Sequence, residues 1–155
     1  MGAALFYHVT ESSVAEVVVN LLGRALEQGW KIELRGTLPD RMHWYDRSLW
    51  EMGGAESFLP HGLAGRAQDA LQPVLLTTAS QPAKAGRDAV LSIDGAEVAP
   101  EELERHERVW ILFDGHDHEA LSRARVQWKQ FTAAGAKAQY WSEESGRWQK
   151  KSESG

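Results

Sequence analysis

What this chain lacks narrows it first. It has no cysteine, which excludes disulfides, thiolate nucleophiles and cysteine-ligated zinc together. No apolar run approaches the roughly 20 residues a membrane helix needs, so no membrane contact is expected. No basic region precedes the short apolar stretch at the start, which therefore does not read as a signal peptide. Gly2 follows Met1, but Phe6 stands where a myristoylation motif needs Ser or Thr. The expected location is the cytoplasm. Phosphate-binding signatures are missing too. There is no GxxxxGK[ST] loop, no GxGxxG between a strand and a helix, and no GxSxG nucleophile elbow. The first apolar stretch runs instead into His8-Val-Thr-Glu-Ser-Ser13, with no glycine to let backbone approach a phosphate. No cofactor is expected.

Positive charge is also in short supply, and it is unevenly spread. The net charge is −5, yet residues 121–155 carry seven Lys or Arg against three Asp or Glu, a net of +4 that leaves −9 on the first 120 residues. Phosphate contacts dominate nucleic-acid affinity, so this balance argues against tight direct binding of DNA or RNA. A basic end on an acidic body suggests a local anion site, although a solvated helix face with a basic tail gives the same pattern.

Against these absences stands an ordinary globular composition, 43% hydrophobic and 25% charged over 155 residues. A chain of this length can bury roughly two thirds of its unfolded surface in one domain. Leu5–Val9 reads as a first strand. Ser13 and Glu16 form a capping box ahead of Val14, Val17, Val18, Leu21, Leu22 and Ala25 at helical spacing. Residues 30–34 alternate as a second strand, and Pro39 opens a helix that ends near Gly53-Gly54. Strands are predicted at 73–78 and 89–93, a short helix at 100–106, and a buried strand at 108–113. Asp117 caps a long helix reaching Ala134-Gly135, and 138–141 forms a last strand. The order predicts a single-domain α/β fold over 1–149, with an open, mainly parallel sheet covered by helices on both faces, and a frayed polar tail at 150–155.

Three clusters could carry chemistry. Asp114, His116, Asp117 and His118 put two imidazoles and two carboxylates directly after a strand, a donor set that would suit a metal-dependent hydrolase. Consecutive loop residues rarely all point at one ion, and Asp117 is explained more simply as a helix cap. His61 follows Pro60, which ends the preceding strand; Glu56 and Ser57 would point to opposite faces of an extended run, so His61 reads as fixing a turn or lining a contact surface. On the last long helix, Ala120, Leu121, Ala124, Phe131 and Ala134 define a buried stripe. Trp128 falls at its edge, with Arg125, Lys129 and Thr132 beside it. A ring bordered by positive charge suits a ligand with an apolar end and a negative charge, and chance amphipathicity would look the same. A generic single-strand nucleic-acid binder, stacking bases on such aromatics, is the remaining alternative.

The segments "LWEMGGAESFLPHGLAG" at 49–65, "VLSIDGAE" at 90–97 and "RARVQWKQFTAAGAKAQYW" at 123–141 together resemble the chi subunit of bacterial DNA polymerase III. That family implies a nucleotide-binding-like fold without the nucleotide motifs and a non-catalytic place in the clamp-loader assembly. It implies two partners. Arg125, Trp128 and Lys129 match the positions that bind the acidic C-terminal tail of single-stranded DNA-binding protein, with Trp128 where a tyrosine is expected. Trp50, Phe58 and His61 fall in the block that meets the psi subunit, and "AESFLPHGLAG" then reads as a strand and turn presenting Phe58 and His61 outward.

Overall fold

The computed structural model describes residues 2–52, 60–65, 69–78, 83 and 86–154. Among the described residues, eight strands and three α-helices follow in the order β1 (Ala3–Val9), α1 (Val14–Glu27), β2 (Ile32–Arg35), α2 (Pro39–Met52), β3 (His61–Leu63), β4 (Val74–Thr77), β5 (Ala89–Ser92), β6 (Arg108–Asp114), α3 (His118–Ala133), β7 (Ala138–Ser142) and β8 (Gln149–Ser154). They form one mixed sheet in the order β3-β4-β2-β5-β6-β1-β7-β8. Every pairing is parallel except β7 with β8. The α/β architecture expected from the sequence is the one observed. Among the described residues, no helix is long and apolar enough to cross a membrane.

Alternation along the central strands divides the core into two layers. Leu5 and Val9 of β1, with Trp110 and Leu112 of β6, face α1 and α2. Ala4 and Phe6, with Val109, Ile111 and Phe113, face α3. Because side chains alternate at a period of two, a one-residue slip of β1 against β6 would exchange both layers. α1 starts as the sequence predicts: Ser13 accepts from the Glu16 N–H, and the Glu16 side chain reaches back to the Ser13 N–H. It stops at Gly29, whose φ of 78° is open to glycine. α3 ends in the same way at Gly135, with φ 74° and the Ala136 N–H returning to the Phe131 carbonyl.

Two boundaries differ from expectation. Residues 149–154 are not frayed; they form β8, pairing antiparallel with β7 from Ala138↔Ser154 to Ser142↔Gln149. Backbone pairing, not apolar burial, makes this strand, so its polar sequence gave no signal. Pro60 does not close a described strand. β3 begins directly after it, while residues 55–59 lie outside the described part. Missing only its own donor, Pro60 is tolerated just before an edge strand.

Candidate functional site

α3 lies against β1, β6 and β7, and its geometry sets the basic and aromatic edge. Asp117 caps it, accepting from the Glu119 N–H at 3.0 Å and the Ala120 N–H at 3.3 Å. Ala124, Gln127 and Phe131 are buried, while Ala120, Leu121 and Trp128 are partly covered. The expected stripe is corrected in two places. Ala134 is exposed because the helix ends there and Ala136 fills the core beyond the turn, and Gln127 takes a buried position.

Trp128 is set by rings on two strands. Its indole meets Phe6 of β1 edge-on at 5.4 Å and Tyr140 of β7 at 5.9 Å. Such edge-to-face pairs add about 0.5–1.5 kcal/mol beyond area burial and fix orientation. Arg125 lies one turn before Trp128 and Lys129 directly after it; both are exposed, and neither forms an ion pair among the described residues. Burial pushes the Tyr140 phenol up, partly offset by the nearby Arg125 guanidinium. The three residues singled out from the sequence are thus brought to one edge, with Tyr140 as an additional wall. Sequence spacing on one helix could not find Tyr140, since β7 arrives only through its pairing with β1. Thr132, also expected at this edge, turns its hydroxyl inward to donate to the Trp128 and Lys129 carbonyls.

The second group is split. Phe58 lies outside the described residues. Trp50, on the last turn of α2, is 49% exposed. Its ring lies 4.3 Å from the His61 imidazole. His61 itself is only 5% exposed. Its Nε2 lies 2.7 Å from the Asp46 carbonyl oxygen, which can only accept, so Nε2 carries a proton and donates. His61 therefore does not project outward as expected; it supports Trp50 from beneath.

The candidate metal cluster is spread over local bonds. Asp114 accepts from the His116 N–H, and the His116 Nε2 donates to the Thr10 carbonyl at 2.9 Å. His116 then offers a metal only Nδ1, and Asp117 is committed to its cap. Among the described residues no three metal-binding side chains come together. Another apparent constellation is Ser142, His8 and Glu144. Here the Ser142 hydroxyl and the Glu144 carboxylate both approach the same nitrogen, Nδ1 of His8, at 3.5 and 3.1 Å. A hydrolytic triad needs them on opposite nitrogens, and Nε2 instead faces the Gly115 backbone, where a Cβ would come within 2.1 Å of it.

The loop between β1 and α1, where a nucleotide-binding α/β fold holds phosphate, is already occupied. The Glu143 carboxylate, arriving from the end of β7, accepts from the N–H groups of Thr10, Glu11 and Ser12 at 3.0, 3.0 and 2.7 Å. The Ser12 hydroxyl donates to its other oxygen at 3.0 Å. Burial alone would raise this acid's pKa, but the Ser12, Thr10 and Glu11 bonds outweigh it and hold it below the ordinary carboxylate range. Successive backbone N–H groups form an anion nest, and here the anion is the chain's own side chain.

Parallel strands, a phosphate loop filled from within and an exposed charged and aromatic helix edge define an α/β module of the nucleotide-binding type with that ligand position closed. A family model, DNA polymerase III chi subunit, HolC, matches residues 1–139. The chain belongs to this family, and with it to the accessory subunits of that polymerase. No curated protein sequence matches it. Arg125, Trp128 and Lys129 fall within the matched span; Tyr140, Glu143 and β8 fall beyond it.

Proposed function

We propose that this chain is a non-catalytic subunit that connects the polymerase's clamp-loader assembly to single-stranded DNA-binding protein during DNA replication, gripping that protein's acidic C-terminal tail at the edge of α3. The observation that supports this reading most is the pair of exposed cations, Arg125 and Lys129, beside the ring of Trp128, with no carboxylate pairing with them among the described residues. A tail ending in an apolar ring and a free carboxylate behind acidic residues matches this chemistry. A guanidinium grips a carboxylate with two parallel hydrogen bonds, which an ammonium cannot do. Arg125 then takes the terminal carboxylate, Trp128 the ring, and Lys129 the acids upstream.

The link to the clamp loader runs through the psi subunit, with Trp50 and Phe58 as its contact and His61 beneath Trp50. Trp50 supplies the exposed ring and His61 its support, while Phe58 is assigned to this contact by the family resemblance alone. A non-catalytic role agrees with the filled phosphate loop and with the dispersed Asp114, His116 and His118.

The test is fluorescence anisotropy with a labelled tail peptide. Arg125→Ala is expected to cost about 2 kcal/mol, roughly thirtyfold in affinity. Equal affinities for the wild type and a variant that circular dichroism shows to be folded would refute the site.

A further inference from the structure

A second cationic and aromatic pocket lies on the opposite layer, where the end of α1 meets the starts of β2 and β6. It encloses about 360 Å³ between Tyr7, Leu21, Arg24, Trp30, Arg108 and Trp110. Specific small-ligand pockets begin near 300 Å³, so the space suits one compact group. Arg108, the first residue of β6, sits between two indoles: its guanidinium carbon is 5.8 Å from the Trp30 ring and 6.0 Å from the Trp110 ring. Its Nε is buried and has no hydrogen-bond partner, and no carboxylate pairs with the guanidinium among the described residues. A buried donor left unmatched costs about 1–3 kcal/mol. Arg24 reaches the same space from α1, and the charges of both arginines act on the Tyr7 phenol.

We propose that this pocket binds a small anion carried next to a flat ring, with Arg108 and Arg24 taking the charge and the half-buried Trp30 the ring, while Trp110, 3% exposed, forms the pocket's floor. Two guanidiniums offer a carboxylate or a phosphate paired donors. The Trp30 indole gives the ring a stacking surface that tolerates many ring types. Nothing about the α3 edge is needed for this site, because the two lie on opposite faces of the sheet. A long polyanion does not fit: Glu27 also lines the pocket, and the first 120 residues carry −9. The ligand is therefore a single terminal group, either the aromatic end of a peptide or a mononucleotide.

The experiment uses the full chain, isotopically labelled, with the indole N–H signals of Trp30 and Trp110 identified through Trp30→Phe and Trp110→Phe. N-acetylphenylalanine is titrated against its neutral amide, and thymidine monophosphate against thymidine. The expected result is saturable shifts at both indoles with at least one charged probe, weaker by roughly tenfold for its neutral counterpart. Preference for the carboxylate assigns a peptide source and preference for the monophosphate a nucleotide source; both support the site. Arg108→Gln is expected to abolish the charge preference. Arg24→Gln, an exposed change that leaves the core untouched, is expected to weaken it if Arg108→Gln does not fold. Arg125→Ala is expected to change nothing here. Absent shifts, equal shifts for charged and neutral probes, or shifts confined to Trp128 would overturn the proposal.

Discussion

Removing the Glu143 carboxylate tests the internal occupant of the β1–α1 loop most directly. The side chain is 4% exposed and accepts three backbone N–H bonds and one hydroxyl. Hydrogen bonds to a charged group contribute roughly 1.5–3 kcal/mol each, but not additively. Thr10 and Ser12 are half-buried and Glu11 exposed, so water replaces part of what Glu143→Ala removes. A loss of about 3 kcal/mol is expected, and for a chain of this length it lowers Tm by about 6–12 °C. Glu143→Gln keeps the shape and one acceptor oxygen but no charge, and is expected to cost about 1–2 kcal/mol. The sign with pH follows from the depressed pKa. The carboxylate's contribution is complete above the unfolded glutamate value of about 4.3 and is lost as pH falls through the lower folded value. The stability gap between the wild type and Glu143→Gln is therefore constant from about pH 7 to about pH 5 and closes in stronger acid. Urea unfolding across this range measures it. A gap that widens on acidification, or a Glu143→Ala variant melting with the wild type, would refute the reasoning.

Three further outcomes are expected. Lys129→Ala weakens tail binding by only about 0–1 kcal/mol, as a rim charge does, while visibly reducing its salt dependence in anisotropy titrations. Asp117→Ala removes the α3 cap and costs about 1 kcal/mol, read as a Tm lower by about 2–4 °C; an equal melting curve would show that the cap contributes nothing. Trp50→Ala leaves the fold within about 1 kcal/mol of the wild type, because the ring is half exposed, yet reduces capture by the psi subunit by about 2 kcal/mol in a titrated pull-down. Unchanged capture would remove Trp50 from that contact.

Local chemistry was the legible part of the sequence. The capping box of Ser13 and Glu16, the Asp117 cap and the glycines that end α1 and α3 depend on neighbours within a turn, and each is present. The near-continuous apolar runs of β1 and β6 likewise carry their own evidence, because each strand is buried on both faces. Contacts between distant segments were not legible. Glu143 reaches the loop across more than 130 residues, and its sequence neighbourhood, Ser142-Glu143-Glu144-Ser145, reads as a turn. β8 has no buried apolar residue to announce it. Trp148 looks like a stray aromatic until the β7–β8 turn lays it 5.0 Å from Tyr7. At the α3 edge, helical periodicity brought Arg125, Trp128 and Lys129 together, but only strand pairing could add Tyr140. His61 misled for a related reason: a histidine between proline and glycine looks like a loop residue, whereas its edge strand packs against α2 and buries it.

The occupied phosphate loop also explains how such a sheet can persist without a nucleotide. Backbone N–H groups that converge ahead of a helix are unpaired donors, and leaving them unmatched costs about 1–3 kcal/mol apiece. In a nucleotide-binding protein the phosphate satisfies them and makes stability depend on ligand. Here Glu143 satisfies them from within, so these donors are matched with nothing bound. The same carboxylate ties the end of β7 to the start of α1, and β7 carries Tyr140, the wall beside Trp128. Closing the nucleotide position therefore also braces the α3 edge. On the proposed reading of that edge, a subunit whose contacts must be ready in every state of a replicating assembly gains from having it set by its own chain.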